Sequence, residues 1–194
     1  MIVLASKSPR RKELLEQIGV EFICQSADID ESVIGQESPT EYVERLAIEK
    51  AQAIAINRQG DAVFGSDTCV VINNEILGKP KDKADSANML RKLSGKRHQV
   101  YTAIALVQGE KVSSKVVSTS VNFKVLTDDE IHQYWLTGEP QDKAGSYAIQ
   151  GIAGQFIMSI EGSYSSVVGL PLYETAELFK ACGLASTIKA GVVT

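Results

Sequence analysis

Histidine and cysteine are scarce in this chain, with two of the first and three of the second in 194 residues. His98 and His132 have neither a nucleophile nor a second metal ligand near them in sequence. That weakens a Ser-His-Asp or Cys-His hydrolase and leaves both as structural residues. Cys24, Cys69 and Cys182 lack a Cys-x-x-Cys spacing. They read as buried free thiols of a reducing compartment, not as a zinc site or a disulfide framework. The patterns G-x-x-x-x-G-K-[ST] and G-x-G-x-x-G are missing, so neither a P-loop NTPase nor a Rossmann dehydrogenase is supported. No segment approaches the ~20 apolar residues of a membrane span, and Met1–Ser6 has no basic stretch ahead of a long apolar one. A net charge of −4 argues against a general nucleic-acid or membrane surface while leaving room for a local basic pocket. There is no internal repeat or low-complexity segment. The expectation is a cytoplasmic protein whose partner is neither a nucleic-acid polymer nor a membrane.

What is present is ordinary in bulk and uneven in detail. Hydrophobic residues make up 44% and charged residues 23%, which suits a soluble chain of one domain or two small lobes with a real core. Ile2–Ala5 reads as a buried strand, and Ser8 with Pro9 as the N-cap and first position of a helix striped by Leu14, Leu15 and Ile18 and ended by Gly19. Helix N-termini favour acidic residues, yet this one carries Arg10 and Arg11, with Lys7 just before. Arg11 even lies on the apolar stripe. Cations on a positive helix end make sense if phosphate binds there; the plainer alternative is a solvated basic patch, which suits Lys7 better than Arg11.

A strand over Glu21–Gln25 precedes Asp28, Asp30 and Glu31, either a solvated acidic loop or, beside a polyphosphate pocket, the source of a magnesium ligand in Glu31. Ser38-Pro39-Thr40-Glu41 is a capping box that opens a helix to about Asn57. Lys50 falls on that helix's apolar face, four residues from both Leu46 and Ile54. It either snorkels past its stem or reaches into a pocket that needs positive charge, and both readings stand at this point. Val63–Ile72 reads as a buried strand interrupted at Gly65-Ser66-Asp67-Thr68, where something approaches the backbone closely. Asp67 inside it is costly unless paired, hydrated or on a metal, and the bland alternative is a turn aspartate.

Asn73-Asn74 marks a hairpin, Gly78-Lys79-Pro80 sets a lysine in a rigid turn, and a helix follows over Ala84–Leu93. Gln99–Val107 and Val112–Val125 read as paired long strands, the second with a covered face at Val117, Thr119, Val121, Phe123 and Val125. Thr127–Glu130 is a further capping box, with Ile131, Tyr134 and Trp135 as core of its helix. Asp142–Gly151 lacks periodicity and suits a binding loop, Gln155–Ile160 a strand, and Pro171–Cys182 a last helix before a loose tail. Arg10, Arg11, Lys50 and Lys79 are cations that the fold would not place for its own sake. With Asp67, and Glu31 in reserve, to hold a divalent metal or activate water, they fit a polyphosphate substrate.

Six motifs in this order carry a resemblance: Ala5–Arg11, Glu49-Lys50-Ala51, Gly65-Ser66-Asp67-Thr68, Gly78-Lys79-Pro80, Asp142-Lys143-Ala144-Gly145 and Gly162-Ser163-Tyr164. Along nearly its whole length the chain resembles the Maf family of nucleoside triphosphate pyrophosphatases, in its dTTP/UTP subgroup. The resemblance implies an elongated α/β fold with two lobes around a cleft, a central twisted mixed sheet flanked by helices, similar to the inosine triphosphate pyrophosphatase (Maf/Ham1-like) fold. It also implies a single domain over 1–184 with a flexible tail over 185–194, and suggests a homodimer. The implied reaction converts a nucleoside triphosphate to monophosphate and pyrophosphate with magnesium, or manganese or cobalt in its place. Asp67 corresponds to the proton acceptor, which would deprotonate or orient the water or else ligate the metal, with Glu31 in reserve as a metal ligand and Lys50 and Lys79 as catalytic cations. Ser6, Ser8, Arg10, Arg11, Lys50 and Lys79 are the phosphate-binding set, and Arg10, Thr68 and Gln150 match the specificity positions. A glutamine amide accepts from N3–H and donates to O4 of a uracil or thymine ring, the complement of that edge. The alternatives are a pyrophosphatase for 7-methyl-GTP, a nucleotide-binding regulator of septum formation, and a phosphotransferase.

Overall fold

An apolar run opens the chain as strand β1 (Ile2–Leu4), and the computed structural model describes residues 1–184. The expected tail, 185–194, lies outside the described residues. The Ser8 hydroxyl accepts from the Arg11 amide and Pro9 presets φ, which together start helix α1 (Pro9–Gln17). After strand β2 (Phe22–Cys24), the Ser38–Glu41 capping box opens α2 (Pro39–Ala55) with both of its reciprocal bonds made. Strand β3 (Ala62–Ile72) turns through Asn73 and Asn74 at φ 50° and 64° into β4 (Glu75–Leu77). Positive φ at both central residues is the hairpin geometry whose twist matches its strands, and asparagine tolerates it. Helix α3 (Lys83–Leu93), strands β5 (Arg97–Gln108) and β6 (Lys111–Phe123), and helix α4 (Asp128–Leu136) follow, the last behind the Thr127–Glu130 capping box. Three 3-10 turns (Glu139–Asp142, Ala144–Ser146, Ile152–Phe156) lead to β7 (Ile157–Glu161), α5 (Tyr164–Val168) and α6 (Leu172–Ala181).

The strands form one mixed sheet in the order β2-β1-β3-β5-β6-β7, with β4 paired to β3. β1 runs parallel to β2 and β3, whereas β3–β4 and β6–β7 are antiparallel. The described chain divides into two units, one of Met1–Asp67, Thr102–Val117 and the chain from Gly169, the other of Thr68–Tyr101 and Ser118–Val168. In the first unit Val3, Ala5, Ala51, Ile54, Val63 and Val107 pack together, and the Phe64 and Phe179 rings meet edge to face at 4.9 Å. The second unit has its own core, built on Leu90, Leu93, Val121, Phe123, Tyr134, Tyr147 and Phe156.

Several expectations change. β3 is continuous through Gly65–Thr68, so Asp67 is a strand residue and not a turn residue. Cys24 is exposed, because β2 is an edge strand; Cys69 is buried and Cys182 half-buried, and none of the three is in a disulfide. Trp135 is half-buried, and Ile131 and Tyr134 supply the buried face of α4. Val125 lies beyond β6 and is exposed, so the covered face ends at Phe123. Within the segment 142–151, Gly145, Ser146, Tyr147 and Ala148 are buried and Gln150 is exposed. The residues ahead of β7 make a 3-10 turn in place of the start of the expected strand, and α5 lies between β7 and the last helix.

His98 is structural, as expected. Its Nε2 lies 2.8 Å from the Tyr147 hydroxyl, its ring meets Phe123 edge to face at 5.0 Å, and its Nδ1 has no hydrogen-bond partner. Burial pushes its pKa down to about 4. Between pH 6.5 and 4 the unfolded chain therefore binds a proton that the folded one refuses, and stability falls as pH falls through that window. The loss attributable to His98 should total about 3 kcal/mol by pH 4. Urea unfolding across this range should show a shallower pH slope for His98→Gln than for the parent; equal slopes would contradict the assignment.

Candidate active site

The face of α2 that meets the sheet is Val43, Leu46, Ala47, Lys50, Ala51 and Ile54, a helical stripe with a lysine in the middle. Opposite it, Gly65 brings β3 close. A Cβ there would sit 2.2 Å from the Ala47 carbonyl oxygen and 3.1 Å from the Ala51 nitrogen. What approaches this backbone is thus the helix itself. The close approach sets the Lys50 ammonium against the strand, where Nζ donates to Asp67 Oδ1 at 2.6 Å and pairs with Glu31 Oε1 at 2.7 Å. Lys50 and Asp67 are both buried. The snorkelling reading of Lys50 is therefore set aside: the ammonium points at carboxylates.

Glu31 is held in place through its backbone. Tyr42 donates its hydroxyl proton to the Glu31 carbonyl at 2.9 Å, and Arg45 Nη2 donates to the Ser32 carbonyl at 3.0 Å. Arg45 is anchored in turn by Glu37 at 2.6 Å, whose hydrogen bond raises the guanidinium's pKa. One helix, α2, therefore positions both the lysine and the loop that carries its second carboxylate.

Arg11 enters the same electrostatic neighbourhood from α1. Its Nε donates to the Gly169 carbonyl at 2.9 Å, an acceptor it shares with the fully buried Ser66 hydroxyl at 3.0 Å. Burial lowers the Arg11 pKa, and the Asp67 and Glu31 carboxylates pull it back up. Sequence reasoning missed Ser66 and Gly169 as contributors. Gly169 acts through a backbone carbonyl, which has no side-chain signature, and Ser66 stood inside the Gly65–Thr68 motif without a role. Its position one residue before Asp67 in a buried strand is the signal that could have found it.

The remaining residues are distributed as follows. The Ser6 hydroxyl accepts from the Ser8 amide at 3.1 Å, and the Ser8 hydroxyl caps α1; a hydroxyl that accepts one bond still has its proton to donate. Arg10 pairs with Glu13 at 3.8 Å on the helix surface. Thr68, half-buried, and Lys79 and Gln150, both exposed, belong to the second unit. There Gly78, beside Lys79, accepts from the Gly145 amide at 3.0 Å, tying the Gly-Lys-Pro turn to the Asp142–Gly145 motif. Among Arg10, Arg11, Lys50 and Asp67, it is the last three, with Glu31, that the first unit brings together.

The donor set also bears on a divalent cation. Asp67 and Glu31 both pair with Lys50 Nζ, so two carboxylates lie side by side around the ammonium. Among the described residues there is no group of three or more His, Cys, Asp or Glu side chains that could cage a metal alone. Two carboxylates fit magnesium, which is commonly held by one or two carboxylates together with substrate phosphates.

Removing one partner of a buried ion pair strands the other charge. Lys50→Met should therefore lose about 3 kcal/mol of stability in urea unfolding at neutral pH. Adding Asp67→Asn should recover a large part of that loss, because the stranded carboxylate is gone. Additive destabilisation by the two substitutions would show that the pair is not coupled.

The chain is similar to known proteins. A family model described as "Maf-like protein" matches residues 1–182. A dTTP/UTP pyrophosphatase of Pseudoalteromonas translucida (strain TAC 125) is 57% identical over 180 residues, covering 92% of this chain and 95% of the relative. A dTTP/UTP pyrophosphatase of Colwellia psychrerythraea (strain 34H) is 55% identical over 192 residues, covering 96% and 91%. Among solved structures, the Staphylococcus aureus Ham1 protein aligns with a TM-score of 0.46 and 19% identity over 63% of this chain and 71% of that one. With a family match over 1–182 and relatives above half identity over most of both chains, the chain that sets Lys50 between Asp67 and Glu31 belongs to the Maf family.

Proposed function

We propose that the protein hydrolyses nucleoside triphosphates, dTTP and UTP in particular, to the monophosphate and pyrophosphate. The observation that carries this reading is the buried Lys50–Asp67 pair with Glu31 and Arg11 beside it. A hydrolase of phosphoric anhydrides needs a carboxylate to orient or deprotonate water and cations to neutralise the charge that builds as a P–O bond breaks. The relatives named above carry that activity in their names.

In this reading water attacks the α-phosphorus in line and pyrophosphate leaves. Lys50 engages one oxygen of Asp67, and the other oxygen takes the proton of the attacking water or orients it. Lys50, Lys79, Arg10 and Arg11 neutralise the phosphates, and Ser6, Ser8 and the first amides of α1 donate hydrogen bonds to them. In the alternative role Asp67, with Glu31, would hold magnesium, or manganese or cobalt in its place, for that ion to activate the water. When bound, the ion supplies charge neutralisation at the phosphate oxygens. Gln150 reads the base edge, with Thr68 and Arg10 as the other specificity residues. A cytoplasmic protein that cleanses the nucleotide pool is the setting this reaction suits.

Asp67→Asn keeps the size of the side chain and removes the base, so turnover should fall about a hundred- to ten-thousandfold while the thermal melt stays cooperative. Pyrophosphate release at close to the parent rate would refute the role of Asp67. Tight nucleotide binding by the parent without multiple turnover would point instead to a regulator. Gln150→Ala should narrow the kcat/KM ratio of UTP over CTP about tenfold, because cytosine exchanges donor and acceptor at the two positions the amide meets. An unchanged ratio across a nucleotide panel would remove Gln150 from base recognition.

A further inference from the structure

Gln150 is exposed and sits just ahead of the 3-10 turn Ile152–Phe156. An amide on a loose loop reads a base poorly, because a hydrogen-bonding group discriminates only where its position is held. The backbone around Gln150 is held, and by a device that the proposed reaction does not use. Glu139 Oε2 accepts from the Ile152 amide at 2.9 Å, and Oε1 accepts from the Ala153 amide at 3.2 Å. The same Oε1 accepts from the Tyr134 hydroxyl at 2.7 Å, and the Tyr134 oxygen accepts from the Ala148 amide at 3.1 Å. The loop is therefore anchored at Ala148 before Gln150 and at Ile152 and Ala153 after it.

The anchor is itself rigid. Tyr134 is 2% exposed on α4, with its ring edge to face with Phe156 at 5.2 Å. Its pKa is raised, first by burial and then by the hydrogen bond to Glu139, so the phenol keeps the proton it donates. Glu139 follows Gly138, whose φ of 76° turns the chain out of α4. The Glu139 amide then bonds to the Thr137 hydroxyl at 3.2 Å. The loop passes so near the carboxylate that a Cβ on Gly151 would lie 2.3 Å from Oε2. A carboxylate on amides at the start of a 3-10 turn is the charge-assisted form of helix capping, stronger than a neutral contact.

We propose that Glu139 and Tyr134 act as a positioning clamp for Gln150, so that base choice depends on two side chains that do not touch the base. This rests on the assignment of Gln150 as the base-reading residue. Glu139→Gln places an amino group against an N–H and strands one of the Ile152 and Ala153 amides. Tyr134→Phe strands the Ala148 amide and removes a donor from Glu139.

Pyrophosphate release by the full chain should be measured with UTP and CTP for Glu139→Gln, Tyr134→Phe, Gln150→Ala and the combinations with Gln150→Ala. Each clamp variant should lower the UTP-over-CTP ratio of kcat/KM about tenfold, through a raised KM for UTP, with kcat on UTP kept within about twofold. In the Gln150→Ala background neither should lower the ratio further, since the reader they position is gone. A relaxed ratio in Gln150→Ala together with unchanged ratios in both clamp variants would overturn the clamp alone. Equal effects of the clamp variants with and without Gln150 would also overturn it, as general loosening. An unchanged ratio in Gln150→Ala would overturn the base-reading assignment, and the clamp with it. If Glu139→Gln fails to fold, Tyr134→Phe, which loses a single hydroxyl, carries the same test.

Discussion

Lys50 places an ammonium out of water, 2.6 Å from Asp67 and 2.7 Å from Glu31, and the rest of the first unit's site is arranged around that fact. Taking either ion out of solvent costs several kcal/mol, which the attraction between them repays only where the geometry is close and held. Three local features hold it. The register of α2 puts the lysine in the centre of an apolar stripe, Gly65 lets the helix backbone press against β3, and Tyr42 and Arg45 grip the loop at the successive carbonyls of Glu31 and Ser32. A helix that positions a cation and the loop of one carboxylate, pressed against the strand that carries the other, leaves little in this site to chance packing.

Much of this was legible in the amino-acid order wherever the chemistry is local. Ser8, Ser38 and Thr127 each accept from an amide three residues ahead, so their helices could be placed from the caps alone. Asn73-Asn74 marked its hairpin for an equally local reason, the tolerance of asparagine for positive φ. The family motifs then singled out Asp67, Lys50 and Arg11, and these three do meet electrostatically.

What was not legible depends on contacts distant in sequence. Gly-Ser-Asp-Thr is a turn by propensity, and it became a strand because α2 fills the space a Cβ would need and Lys50 neutralises the aspartate. Cys24 looked like a core thiol until the strand order put β2 at an edge. Ser66 and Gly169 are joined across 103 positions through a carbonyl oxygen, and residue identity does not report a carbonyl's direction. The role of Glu139 was hidden similarly, since an acidic residue after a helix is unremarkable until the amides of Ile152 and Ala153 are found on it.

The contact at Gly65 has one more implication. Because a carbonyl of the helix rests where a side chain would begin, the spacing between α2 and β3 has a hard floor made of main-chain atoms. Side chains in that core can drift over evolutionary time, exchanging one apolar shape for another, without the two elements settling closer together. The reach of Lys50 to Asp67 is gauged by that floor, much as a shim sets a gap, so the ion pair's distance is inherited from backbone stereochemistry and insulated from changes in the packing around it.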